Sequence, residues 1–202
     1  MSRFADTAAA VLLGGASTRM GCDKARLEWG GRALATRQAE LLAHDFDELL
    51  LVGGEPPKGT PGRAVPDPEG EPSSLRGIVG ALEAAHAPWV FVVATDMPAL
   101  THELVLGLVA LRSADADAVV PRTDRPQPLC ALYRRAAAAP VARERFERGE
   151  PTLRGLLDAL RVTWLEGADL DRVGGPDALA NVNTPAEWQA FRAAAPPREE
   201  PA

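Results

Sequence analysis

Three glycines, a guanidinium and an ammonium stand within eleven residues in Gly14-Gly15-Ala16-Ser17-Thr18-Arg19-Met20-Gly21-Cys22-Asp23-Lys24. Glycine reaches positive φ and carries no Cβ, so the backbone N–H groups of Gly14, Gly15 and Gly21 can turn inward as a nest for an anion. Arg19 adds a planar, bidentate cation and Lys24 a mobile point charge, a pair that suits a triphosphate better than a monophosphate. Far along the chain, Thr95-Asp96-Met97-Pro98 follows the most hydrophobic continuous run, Trp89–Ala94. A carboxylate there, opposite a phosphate loop, is the natural ligand for Mg²⁺, which takes one or two carboxylates, keeps several waters and draws its remaining oxygens from substrate phosphates. Asp96 also reads as a turn residue, but with the phosphate loop present the metal reading is the stronger one.

Two familiar glycine loops do not fit. Lys24 follows Asp23 and precedes Ala25, so G-x-x-x-x-G-K-[ST] is absent, as is G-x-G-x-x-G. The apolar run Ala8–Leu13 is also at the short limit of a signal-peptide core of roughly seven to fifteen residues, and Asp6 sits where a cationic region belongs. It reads instead as a buried parallel strand feeding the loop.

Further elements are needed to bring the loop and Asp96 together. The sequence predicts a hairpin-like turn at Leu27–Arg32, then a helix over 33–43 with Leu34, Ala39, Leu41 and Leu42 inward. A buried strand over 48–52 ends at Gly53-Gly54, and a brief strand over 64–67 ends in Asp67. Ser73 or Ser74 caps a helix from 75 to about 86, and Trp89–Ala94 is the expected central strand. Beyond it come a helix over 101–112, strands over 118–120 and 129–133, helices over 135–148 and 152–160, and a strand over 162–165. Thr184-Pro185-Ala186-Glu187 is a capping box opening a last helix to about 194. This alternation gives an α/β fold, a doubly wound, mostly parallel sheet with helices on both faces. It forms a single domain over 1–194, and 195–202 reads as a disordered tail. Ligands of such sheets sit beyond the carboxyl ends of the strands, where Leu13, Gly53, Asp67 and Asp96 all fall.

The ordered pattern G-G-x-S-x-R-M-G-x-D-K resembles the signature of nucleoside-triphosphate transferases, and among them the molybdenum cofactor guanylyltransferase family. Thr95-Asp96-Met97-Pro98 matches the family's metal-binding D-x-P segment, and Asp67 matches an aspartate that contacts the nucleotide. From its own surroundings Asp67 reads as readily as an Asx turn in a Pro-rich connection. Gln127–Tyr133 and Asn181-Val182-Asn183-Thr184-Pro185 are similar to two segments that border the molybdopterin half, so the likeness runs from about Ala8 to Phe191. It implies a Rossmann-like nucleotidyltransferase that moves GMP from GTP to the phosphate of molybdopterin, releasing pyrophosphate. The nucleotide would be bound by Leu12, Leu13, Gly14, Gly15, Ser17, Arg19, Lys24, Gly53, Asp67 and Asp96. Gln127, Asn181 and Asn183 would bind the acceptor. Two departures stand out: Leu13 replaces the usual Ala before the glycines, and Gly53-Gly54 replaces an Asn found in some members. Preference for guanine over cytosine rests on Gly14, because related cytidylyltransferases tend to have L-A-A-G.

A phosphate nucleophile is already ionised near neutrality, so no general base is required. His44, His86 and His102 fall on predicted helices away from the crevice. Catalysis is then positioning and charge neutralisation by Arg19, Lys24 and Asp96 with its Mg²⁺. Cytidylyl or sugar-phosphate transfer, or a non-catalytic nucleotide-binding accessory role, are the competing readings. A net charge of −6 over 202 residues leaves no basic stripe for nucleic acid. No run is long enough to span a membrane, and two separated cysteines suit the cytoplasm. Transient partners would be molybdopterin-supplying or molybdoenzyme-maturation proteins, as the family implies.

Overall fold

The computed structural model describes residues 4–14 and 24–194. In chain order the strands and helices are β1 (Thr7–Leu12), β2 (Glu28–Trp29), β3 (Arg32–Ala33), α1 (Leu34–Ala43), β4 (Glu48–Val52), β5 (Arg63–Val65), α2 (Ser74–Ala84), β6 (Trp89–Ala94), α3 (His102–Ala110), β7 (Ala118–Pro121), β8 (Cys130–Arg134), α4 (Arg135–Glu147), α5 (Leu153–Asp158), β9 (Val162–Leu165), α6 (Gly167–Asp171) and α7 (Pro185–Ala194). Short 3₁₀ turns occupy Lys24–Arg26 and Pro176–Leu179. Neither α6 nor the second of these turns is foreseen in the sequence.

Seven strands form one sheet in the order β5-β4-β1-β6-β8-β7-β9, and β2 pairs with β3 as the expected hairpin. Strands β5, β4, β1 and β6 are mutually parallel, as are β7 and β9, whereas β8 runs antiparallel to both β6 and β7. The sheet is therefore mostly parallel, as expected. Every residue of β1 and β6 is buried, which explains their unbroken apolar sequences: both faces of a central strand are covered. On one face Ala9 and Val11 pack with Ala35, Ala39 and Leu42 of α1 and with Leu104, Val105 and Leu108 of α3. On the other, Ala8, Ala10 and Leu12 pack with Leu75, Ile78 and Leu82 of α2 and with Ala138 and Ala142 of α4.

The differences from the sequence reading are local. Strand β5 starts one residue early, at Arg63, and Asp67 lies two residues past its end. Leu41 is only partly buried, and Gln38 is buried on the inner side of α1 in its place. His86 lies beyond the end of α2, exposed in the connection to β6, because α2 stops at Ala84. Of the two candidate caps for α2, Ser73 is the one used, its hydroxyl accepting from the Arg76 N–H at 3.2 Å. The proposed tail, 195–202, falls outside the described residues.

Candidate functional site

Because β5, β4, β1 and β6 are parallel neighbours, their carboxyl ends share one edge of the sheet. Hydrogen bonds beyond the ladders extend this order into the loops. The Leu13 N–H donates to the Val52 carbonyl at 2.8 Å, the Gly53 N–H to the Val65 carbonyl at 2.9 Å, and the Thr95 N–H to the Leu12 carbonyl at 3.3 Å. Leu12, Leu13, Gly14, Gly53, Asp67 and Asp96 are thereby gathered although up to 84 residues separate them in sequence.

Asp67 lies over glycine backbone. A Cβ on Gly53 would stand 2.8 and 2.9 Å from its two carboxylate oxygens, and one on Gly14 would stand 3.3 Å from Oδ2. Gly53 also has φ +71°, a region that side-chain-bearing residues reach only with strain. Glycine is thus required at Gly53 twice over, by its torsion and by the carboxylate above it. Arg76, in the first turn of α2, holds that carboxylate through Nη2 at 2.9 Å and donates from Nη1 to the Gly70 carbonyl at 3.1 Å. The sequence reading missed Arg76. Its only signal there is an arginine following a helix cap, which is uninformative until the path of the Pro68–Pro72 loop is known.

Asp96 occupies the third position of a tight turn closed by the Met97 N–H on the Ala94 carbonyl at 3.3 Å. Its side chain is half-buried, and its carbonyl accepts from the Val182 N–H at 2.8 Å. Gln38 braces the turn from α1: its Nε2 donates to the carbonyls of both Ala94 and Met97, at 3.0 Å each. The Gln38 side-chain oxygen is buried and has no partner among the described residues. A buried amide serving two carbonyls across 56 and 59 residues is a bracing device that hydrophobic patterning cannot reveal.

The segments assigned to the acceptor arrive at the same turn. Asn181 and Asn183 flank Val182, whose N–H binds Asp96. The Asn183 N–H also donates to Glu187 at 2.6 Å, within the capping box that Thr184 and Glu187 complete at the start of α7. Gln127 is tied by its N–H to the Pro121 carbonyl at 2.9 Å and begins the turn into β8, and Leu129 accepts from the Ala94 N–H at 2.9 Å. Gly15, Ser17, Arg19 and the side chain of Lys24 lie outside the described residues. The backbone re-enters at Lys24–Arg26, where Ala25 is buried in the α1 and α3 core and Arg26 pairs with Glu55 at 3.3 Å, two residues past Gly53.

Asp96 is a hard-oxygen donor at a braced strand end, half-open to solvent, and so suits Mg²⁺ with its water shell. Cys130 offers no alternative chemistry, since burial pushes its thiol up to about 12. A cleft of about 660 Å³ lined by Phe4, Asp6, Trp89, Arg112 and Arg134 opens at the amino ends of β1 and β6, the edge opposite Asp96. Among the described residues, no helix is long and apolar enough to cross a membrane.

Residues 9–164 match the model of the MobA-like NTP transferase domain family. A probable molybdenum cofactor guanylyltransferase from Chloroflexus aggregans is 33% identical over 195 residues, 91% of this chain and 92% of that one. A relative of the same description from Opitutus terrae is 36% identical over 159 residues, 76% of this chain and 78% of its own. Among solved structures, molybdopterin-guanine dinucleotide biosynthesis protein A from Archaeoglobus fulgidus superposes with a TM-score of 0.79 at 24% identity, covering 92% of this chain and 97% of the other. The 2-C-methyl-D-erythritol 4-phosphate cytidylyltransferase from Thermus thermophilus gives 0.67 at 20% identity, over 93% and 98%. At these identities the two structures speak to the fold, a Rossmann-like nucleotidyltransferase sheet.

Proposed function

Since the chain belongs to the MobA-like NTP transferase family and is a nucleotidyltransferase, we propose that it transfers GMP from GTP to the phosphate of molybdopterin in the cytoplasm, releasing pyrophosphate and forming a guanine dinucleotide cofactor. The work is carried by residues 1–194 acting as one domain. The observation that carries the reading is the convergence of Gly14, Gly53, Asp67 and Asp96 at one edge of the sheet, with the Asn181–Asn183 segment bound to the Asp96 turn. Relatives named for guanylyl transfer at up to 36% identity supply the choice of reaction.

In this reading the nest of Gly14 and Gly15 holds the β-phosphate, and Ser17, Arg19 and Lys24 bind and neutralise the pyrophosphate as it leaves. Asp67, fixed by Arg76, contacts the nucleoside over the backbone of Gly53 and Gly14. Glycine at position 14 matters because a methyl group there would press on Asp67 Oδ2. Asp96 would hold Mg²⁺, which would supply neutralisation of phosphate charge. Gln127, Asn181 and Asn183 orient the acceptor, whose phosphate needs no general base.

Purified protein with Mg²⁺, molybdopterin and either GTP or CTP decides the matter through pyrophosphate release and the dinucleotide formed. Release with GTP is expected, and Lys24→Ala should abolish it. Turnover with CTP but not GTP would replace guanylyl by cytidylyl transfer. Nucleotide binding without turnover on any acceptor, including sugar phosphates, would leave an accessory role.

A further inference from the structure

His44, Asp45 and His102 meet on the α1 and α3 side of the sheet. His44 caps the carboxyl end of α1, Asp45 follows it, and His102 is the first residue of α3. His44 Nδ1 lies 3.1 Å from Asp45 Oδ1, and His102 Nε2 contacts Oδ2 of the same carboxylate. The three donor atoms lie within 4.8 Å of one another. Asp45 is 3% exposed, and among the described residues its side-chain partners are these two imidazoles, with no lysine or arginine. A carboxylate taken out of water needs charge or hydrogen-bond partners, and among the described residues the side chains aimed at it are nitrogen donors that also ligate metals.

We propose that His44, Asp45 and His102 form a second metal site, taking a borderline divalent ion of the zinc class. Two imidazole nitrogens and one carboxylate oxygen are the donor set that favours Zn²⁺ over Mg²⁺, which prefers oxygen alone. Zinc–ligand distances of about 2.0–2.2 Å place neighbouring tetrahedral donors a little over 3 Å apart. The 3.1 Å pair already has that spacing, and the closer His102 Nε2 contact with Oδ2 opens by a side-chain shift of His102 when an ion enters between them. The exposed side of His44 leaves a fourth position to solvent. The Asp45 backbone is fixed independently, donating to the Leu42 carbonyl at 3.1 Å and accepting from the Phe4 N–H at 2.7 Å, so the buried ligand is already in position.

The site is separate from Asp96. His44 stands six residues beyond Gln38 on α1, about 9 Å further along the axis at 1.5 Å per residue. It nevertheless ties the end of α1, the helix that braces the Asp96 turn, to the start of α3, the helix that follows it. Metal there clamps two elements that frame the active edge.

The test uses the full chain stripped with EDTA and returned to buffer containing Mg²⁺. Titration with Zn²⁺ against a chromophoric chelator should show a single tight equivalent, and Co²⁺ should give a tetrahedral absorption band. Asp96→Asn should keep both signals. His102→Gln and His44→Gln should each weaken zinc binding by about 10- to 100-fold or more. Zinc should raise the unfolding temperature of the unsubstituted chain and not of the double variant. Should His102→Gln fail to fold, the exposed His44→Gln variant carries the comparison, since little packing depends on it. Absence of stoichiometric zinc, or equal affinity in the unsubstituted chain and His44→Gln, would overturn the proposal and leave an ordinary His–Asp–His hydrogen-bond network.

Discussion

The carboxylate of Asp67 is held by Arg76 at 2.9 Å in the space that a side chain on Gly53 would fill. Both partners are largely shielded, with 21% of the Asp67 side chain and 23% of the Arg76 side chain exposed. Loss of such a charged hydrogen bond costs about 1.5–3 kcal/mol. If Asp67 contacts the nucleoside as proposed, Arg76→Ala should raise the KM for GTP by about tenfold or more while changing kcat less, because the acid it releases would be remote from the reacting phosphorus. Steady-state kinetics with varied GTP checks this. An unchanged KM would remove Asp67 from the nucleotide site.

Gly53→Ala should be more damaging than its exposed neighbour would suggest. The substitution forces an L-residue to φ +71° and drives a methyl group to within 2.8 Å of Asp67. The torsion alone costs about 1–2 kcal/mol, or about 2–8 °C in unfolding temperature for a chain of this size. Calorimetry should show that loss together with weakened nucleotide binding, since Asp67 has to move. Gly31→Ala is the control, with a similar φ of +76° and nothing within 4 Å of the added methyl. It should lose stability alone.

Gln38→Met preserves volume and removes both amide hydrogen bonds to the Asp96 turn. We expect kcat to fall by about tenfold, a barrier increase of about 1.4 kcal/mol. The Mg²⁺ concentration for half-maximal rate should rise, and the KM for GTP at saturating Mg²⁺ should stay near its original value. The magnesium dependence separates positioning from mere stability. A variant with a lowered unfolding temperature but an unmoved magnesium midpoint would make Gln38 a structural residue only.

Asp117, between α3 and β7, pairs with Arg161 through two side-chain contacts of 2.8 and 2.9 Å. The Arg161 hydrogen bonds lower its carboxyl from the ordinary 3.8 to about 2. A depressed folded-state value means stability gained by ionisation, present above pH 3.8 and lost as the pH falls towards 2. Asp117→Asn should unfold at a lower temperature near neutrality, and its difference from the unsubstituted chain should close over that acid window. Parallel thermal melts from pH 7 to pH 2 check the sign.

How much of this was legible in the chain depends on the kind of interaction. Trp89–Ala94 is read to the residue, and Glu48–Val52 through its Leu49–Val52 run, because a strand covered on both faces leaves an unbroken apolar run. The same logic puts Gly53 and Asp96 just past strand ends, whereas Asp67 follows the short edge strand β5 by two residues. The phosphate-binding reading of residues 15–23 rests on residue type and order alone, and those residues lie outside the described ones.

Only the tertiary structure decided which strand lies beside which. Strand β8 runs antiparallel against β6, so its entrance, with Gln127 and Leu129, arrives at the carboxyl end of β6 and not at the far edge. Strand direction depends on long-range pairing, and β8 reads the same from sequence whichever way it runs. Arg76 on Asp67, Gln38 on the Asp96 turn and His102 on Asp45 are likewise isolated polar contacts between elements. They leave no periodic trace, because hydrophobic spacing records which face of an element is buried and not which polar groups meet there.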